Sequence, residues 1–101
     1  MHCMEPKKAF LGLDKEDAVA YKDAKAVIIP FGLENSVTYG GGTAKGPEAI
    51  IRASHEVELF DEHLWCEPFR QIGIVTLNEP KIDFEISNAL QQLENIVEKV
   101  L

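Results

Sequence analysis

Residues 24–54 read Ala-Lys-Ala-Val-Ile-Ile-Pro-Phe-Gly-Leu-Glu-Asn-Ser-Val-Thr-Tyr-Gly-Gly-Gly-Thr-Ala-Lys-Gly-Pro-Glu-Ala-Ile-Ile-Arg-Ala-Ser, and they decide the fold class. An apolar run leads into a glycine-rich loop, and the loop leads into a helix that opens on proline. Val27, Ile28 and Ile29 are consecutive and β-branched, with no polar alternation. A strand apolar on both faces belongs in a covered parallel sheet. The expected strand runs over 26–31, with Pro30 ending the pairing because it lacks an N–H. A long loop follows over 32–46, in which Gly40, Gly41 and Gly42 give the backbone access to positive φ. Pro47 fits the first helical position, Gly46 the N-cap, and Glu48 the positive end of the helix dipole. This helix is expected from Pro47 to about Leu59, burying Ala49, Ile50, Ala53, Val57 and Leu59 or Phe60.

Working outward, the segment 61–71 reads as irregular, with Pro68 breaking any helix. Ile72-Gly73-Ile74-Val75-Thr76-Leu77 reads as a second buried strand. Asn78-Glu79-Pro80 is a turn, and Asp83 is the expected N-cap of a last helix reaching the C-terminus. Its expected apolar stripe is Ile86, Leu90, Leu93, Val97 and Val100 or Leu101. Residues 1–23 form a mixed, charged arm. In it Phe10, Leu11 and Leu13 are candidates to staple it to the body, and 14–22 for a turn or two of helix. Strands alternating with helices define an α/β protein with a parallel sheet, here a partial three-layer α/β/α sandwich over 24–101. Two strands make a poor sheet alone, so the unit reads as incomplete.

Bulk properties narrow the function. The 101-residue chain carries 17 acidic and 10 basic residues, a net charge of −7. No basic run exceeds Lys7-Lys8, so neither nucleic acid nor an anionic membrane is an expected partner. No apolar run approaches the ~20 residues of a membrane span. The first eight residues lack the apolar core of a secretory signal. The two cysteines, Cys3 and Cys66, are far apart and read as reduced thiols in a cytoplasmic setting.

The glycine loop fails both phosphate fingerprints. The third glycine of Gly-x-Gly-x-x-Gly, counted from Gly40, falls on Lys45. The phosphate-loop order Gly-Lys-Ser/Thr is reversed, since Lys45 precedes Gly46 and Pro47 follows. Pro47 also removes one N–H from the helix start that would hold an anion. His55, Glu58, Asp61, His63 and Cys66 share one short window, but the second ligand pair of a structural zinc site is missing. Ser36, Ser54 and Ser87 lack a nucleophile elbow. No basic cluster accompanies Cys66 to activate its thiol. The last helix offers a near-heptad stripe that suits a sheet or, in a longer array, a coiled-coil seam.

Thr38-Tyr39, Gly42-Thr43, Gly46-Pro47-Glu48-Ala49-Ile50, Ala53-Ser54 and Val57-Glu58-Leu59 with Asp61 resemble the N-terminal region of the ureohydrolase family, nearest its agmatinase branch. There the pattern is Ser/Thr-Tyr-Arg-Pro-Gly-Thr-Arg-x-Gly-Pro-x-Ala-Ile. Ile72–Leu77 is similar to the family's next strand. This sequence departs from the pattern at Gly40-Gly41, in place of Arg-Pro, and at Ala44, in place of the second Arg. The resemblance implies a three-layer α/β/α fold and a two-manganese centre that activates water against a guanidinium carbon. For agmatine the products are putrescine and urea. The family's metal motifs, Gly-Gly-Asp/Glu-His, Asp-Ala-His-x-Asp and Ser-x-Asp-x-Asp-x-x-Asp-Pro, are absent here, so no catalytic or metal residue carries over.

Two readings follow. In the first the chain is the N-terminal segment of an agmatinase-like enzyme, inactive alone and partnered by the remaining portion. In the second it is a small self-associating or protein-interaction module. In the first reading Asn35 and Tyr39 border the substrate pocket, while Gly42, Gly46 and Pro47 shape the loop and start the helix.

Overall fold

The computed structural model describes residues 1–34 and 42–101. Asn35 and Tyr39 lie outside the described residues. The element order is β1 (Ala26–Ile28), α1 (Gly46–Ser54), α2 (Pro68–Ile72), β2 (Ile74–Thr76) and α3 (Ile86–Val100). The two strands pair in parallel, with Ala26 opposite Ile74, Val27 opposite Val75 and Ile28 opposite Thr76. An α/β unit with a parallel sheet is what the apolar strand runs implied.

Both strands are shorter than their apolar runs. Pairing begins where the Ala26 N–H donates to the Gly73 carbonyl and ends where the Leu77 N–H donates to Ile28 O at 3.0 Å. Pro30, buried just beyond, has no N–H with which to continue.

The arm gives β2 a second neighbour. Met4 N–H donates to Thr76 O at 2.8 Å and Asn78 N–H to His2 O at 3.0 Å, around an antiparallel bridge between Cys3 and Leu77. Alternation along a strand puts these bonds on the edge of β2 away from β1. The arm then turns through short 3-10 segments at Pro6–Lys8, Phe10–Gly12, Lys15–Asp17 and Tyr21–Asp23. Ala9 and Leu13 bury against the body. Leu11 and Gly12 both adopt positive φ (72° and 58°), and a Cβ on Gly12 would lie 2.9 Å from the His55 ring.

Three expectations are corrected. First, α1 stops at Ser54 rather than Leu59, and it buries Ile51 and Ser54 while Ile50 and Val57 stay exposed and Ala49 and Ala53 face outward. The arm lies against the 51/54 face and so sets the helix's rotation. The Ser54 hydroxyl donates to Ile51 O at 2.5 Å, competing with the backbone ladder where the helix ends.

Second, Pro68 starts a helix instead of breaking one. It sits in the first turn of α2, where its missing N–H costs nothing, and Phe69 behind it is 4% exposed. Gly73 closes α2 at φ 65°, donating its N–H to Phe69 O. Arg70 ties α2 to the arm through Asp17 (2.9 Å) and is also paired with Glu67 (2.7 Å).

Third, α3 is capped by Glu85, not Asp83. Asp83 Oδ1 accepts the Glu85 N–H before the helix begins. Gln92 draws 81–83 back onto α3, accepting from Asp83 N–H and donating to Lys81 O. The buried point of α3 is Ala89, with Leu93, Ile96 and Val100 half-buried along the same face. Ile86, Leu90 and Val97 are exposed. Ala89 lies one turn from Gln92, on the side of α3 to which 81–83 is tied.

One exposed ion pair fastens the arm to itself. Lys7 Nζ lies 2.6 Å from Asp14 Oδ1. Its hydrogen bond and charge hold the Asp14 carboxyl below the ordinary 3.8 and raise Lys7 above the ordinary 10.5. A depressed carboxyl stabilises above its unfolded value and loses that contribution as pH falls through the folded value. A raised lysine contributes below 10.5 and loses it as pH rises past the folded value. The stability difference between wild type and Asp14→Asn is therefore small, constant through neutral pH, and vanishes toward both acid and alkali. Melts at pH 3, 7 and 11 in low salt check this, and a difference that grows on acidification would contradict the pairing.

Candidate functional site

Ligands of parallel α/β proteins bind beyond the carboxyl ends of the strands. Here that rim is made by the segments leaving β1 and β2. A cavity of about 260 Å³ lies there, lined by Gly32, Leu33, Glu34, Ile82, Asp83 and Phe84. Its wall is apolar apart from two carboxylates. That combination suits a cationic head on an aliphatic stem, since charge-assisted hydrogen bonds to carboxylates are the strong ones.

The neck of the long loop is held at this rim. Glu34 Oε1 accepts the Gly42 N–H, joining the two described ends of the loop. Gly42 has φ 114°, a conformation that glycine adopts freely. The chain then makes a 3-10 turn at Thr43–Lys45 and enters α1. Gly32 touches this turn so closely that a Cβ would lie 2.2 Å from Ala44 O. Gly46 is not the N-cap. It is already helical (φ −56°, ψ −52°), and Lys45 takes the cap position. Pro47 stands in the first turn of α1 as expected.

The His/Glu/Asp/Cys window separates into unrelated contacts. His55 Nε2 lies 2.9 Å from Ala9 O, so this nitrogen carries the proton and donates to the arm. Asp61 Oδ1 accepts the backbone N–H groups of His63 and Leu64, both at 2.8 Å. Asp61 and Cys66 face each other in an antiparallel bridge. Among the described residues, no three His, Cys, Asp or Glu side chains gather as a metal set. The described residues thus do not fit the manganese that the family resemblance implies, and no chemical step is derived through it.

Sequence reasoning passed over two buried hydroxyls. Thr76 is 1% exposed, and its Oγ1 accepts the Phe10 N–H at 3.0 Å. Ser54 is 6% exposed, and its Oγ accepts the Leu11 N–H at 2.8 Å. The signal for Thr76 was visible as one hydroxyl in an apolar strand, since a buried polar group must find a partner. Ser54→Ala leaves the Leu11 N–H without its partner, and the expected cost is about 1–3 kcal/mol. Urea unfolding followed by circular dichroism measures it, with Ser87→Ala, at an exposed position, as the neutral comparison.

The parallel pair, the Gly-Pro helix start and the glycine-necked loop at the strand ends define an α/β protein with its candidate site at the carboxyl rim. Residues 24–101 match the profile of the Arginase family, and the chain belongs to that family. Over 64 residues it is 38% identical to an N(1)-aminopropylagmatine ureohydrolase of Synechocystis sp., covering 63% of this chain and 21% of the relative. Over 59 residues it is 36% identical to proteins of the same name from two strains of Thermus thermophilus, covering 58% of this chain and 20% of each relative. The aligned part therefore spans about one fifth of the curated relatives' length. No solved structure matches the chain. Among the described residues, no helix is long and apolar enough to cross a membrane.

Proposed function

We propose that this chain is the N-terminal segment of a ureohydrolase that cleaves a linear guanidine to an amine and urea. The match of residues 24–101 to the Arginase family carries this reading. The names of the relatives favour N(1)-aminopropylagmatine as the guanidine, ahead of agmatine itself. Both are aliphatic cations, and the Glu34/Asp83 rim offers carboxylates to such a ligand. In this reading Asn35 and Tyr39 border the substrate, and manganese is held by residues outside this chain's described part. The segment contributes a β–α–β scaffold and a loop neck, and the 101 residues alone do not turn over.

Urea release by the purified 101-residue chain in manganese, with each of the two guanidines, tests this. No release is expected from the chain alone. Release is expected when the chain replaces the corresponding fifth of a Synechocystis-type relative, with the aminopropylated substrate preferred. Turnover by the chain alone removes the segment reading, and agmatine preference by the chimera reverses the substrate assignment.

A second reading, a self-associating module, draws on the exposed Ile86, Leu90 and Val97 stripe of α3. Sedimentation decides it, because a monomer at high micromolar concentration excludes a dimer built on that face.

A further inference from the structure

Where β1 and β2 end, the segments leaving them meet α3 around a cavity of about 450 Å³. Its floor is aliphatic. Ile29 stands just beyond β1, Leu77 just beyond β2 and Ile96 on α3, with Leu77 buried and the other two half-buried. Backbone bonds fix this floor. The Leu77 N–H donates to Ile28 O and the Asn78 N–H to His2 O, both at 3.0 Å. Ile96 and Lys99 are one turn apart and share a face of α3. The Lys99 ammonium and the Glu79 carboxylate belong to the same wall, and both residues are exposed. Among the described residues neither side chain has an ion pair or hydrogen bond, with the other or with any third group. His2 supplies the one further ionisable side chain of the wall.

We propose that this cavity binds a zwitterionic amino acid with an aliphatic side chain. Parallel α/β proteins take their ligands beyond the carboxyl ends of the strands, and the cavity stands there. Its volume is that of a small-molecule site, mostly apolar with a few polar groups that fix orientation. Charge selects the ligand. A carboxylate anion meets Lys99 and faces a like charge at Glu79. An alkylammonium meets Glu79 and faces a like charge at Lys99. A hydrocarbon covers the floor but takes water from both charges without replacing it. A molecule that carries both charges and an aliphatic branch satisfies all three surfaces. Its carboxylate accepts from Lys99 Nζ, its ammonium donates to the Glu79 carboxylate, and its side chain covers Ile29, Leu77 and Ile96.

No part of the ureohydrolase reading uses this cavity, and the test reads binding rather than urea release. The full 101-residue chain, isotopically labelled, is titrated with L-leucine and followed by its amide NMR shifts. Saturable shifts are expected at Leu77, Asn78, Ile96 and Lys99. Glycine lacks the side chain, isocaproate the ammonium and isoamylamine the carboxylate. Each is expected to bind at least about fivefold more weakly than leucine. Lys99→Met, which keeps the aliphatic stem, and Glu79→Gln weaken leucine binding by a similar factor. Glu94→Gln, at an exposed position outside the cavity, leaves it unchanged. Shifts that do not saturate overturn the proposal. So does equal leucine affinity in wild type, Lys99→Met and Glu79→Gln, or binding of isocaproate or isoamylamine as tight as that of leucine.

Discussion

Gly32→Ala lowers stability by about 2–3 kcal/mol, which for a domain of this size moves the melting midpoint down by about 10–20 °C. The new methyl group would sit 2.2 Å from Ala44 O, 2.9 Å from Ala44 C and 3.0 Å from its Cα. All three are main-chain atoms of the turn that feeds α1, so no side chain can swing aside. Either β1's exit or the start of α1 must move. Both form the loop neck, so the Glu34–Gly42 contact opens with them. Gly46→Ala is the matched control. Outside its chain neighbours and its own helix backbone, no described atom lies within 4 Å of the Cβ it would add, so in this helical conformation only the Pro47 ring crowds it. That substitution changes stability by no more than about 1 kcal/mol, because the lower conformational freedom of alanine is opposed by the crowding of its methyl group against the Pro47 ring. The melting midpoint of Gly32→Ala should therefore lie well below that of Gly46→Ala. A wild-type melting point for Gly32→Ala would mean that the neck is not closed as described.

Phe69→Ala costs about 3–5 kcal/mol, the range for emptying a buried aromatic position. In a domain of 101 residues this is a large share of a total stability of about 5–15 kcal/mol. Phe69 is the buried residue of α2, and its ring also carries Arg70, whose guanidinium carbon lies 4.7 Å from the centroid. Arg70 in turn reaches Asp17 of the arm. Loss of the ring therefore loosens the junction of arm and α2 as well as the core. Leu64→Ala, at a position 66% exposed, changes stability by at most about 0.5 kcal/mol. Guanidinium unfolding of the three proteins gives both numbers, and a Phe69→Ala midpoint close to that of Leu64→Ala would remove Phe69 from the core.

The sequence by itself determined the α/β class, the parallel pairing of two apolar runs and the family. It did so because period and apolarity are local properties, and Gly46-Pro47-Glu48-Ala49-Ile50 is a local motif. It also placed Phe10, Leu11 and Leu13 as the arm's contacts with the body, of which Leu13 is buried and Phe10 and Leu11 dock through their N–H groups. Tertiary structure alone decided which stripe of each helix is buried. Ile51 and Ser54 replaced Ala49 and Ile50 because the arm covers one side of α1. Ala89 replaced Leu90 as the buried point of α3, on the side where Gln92 holds 81–83 against the helix. It also decided that Pro68 opens a helix, since a proline that ends one helix is equally suited to start the next. The metal-like window of His55, Asp61, His63 and Cys66 dissolved for the same reason. Nearness along the chain says which residues can meet, and the fold sends His55 to the arm and Asp61 to its own turn.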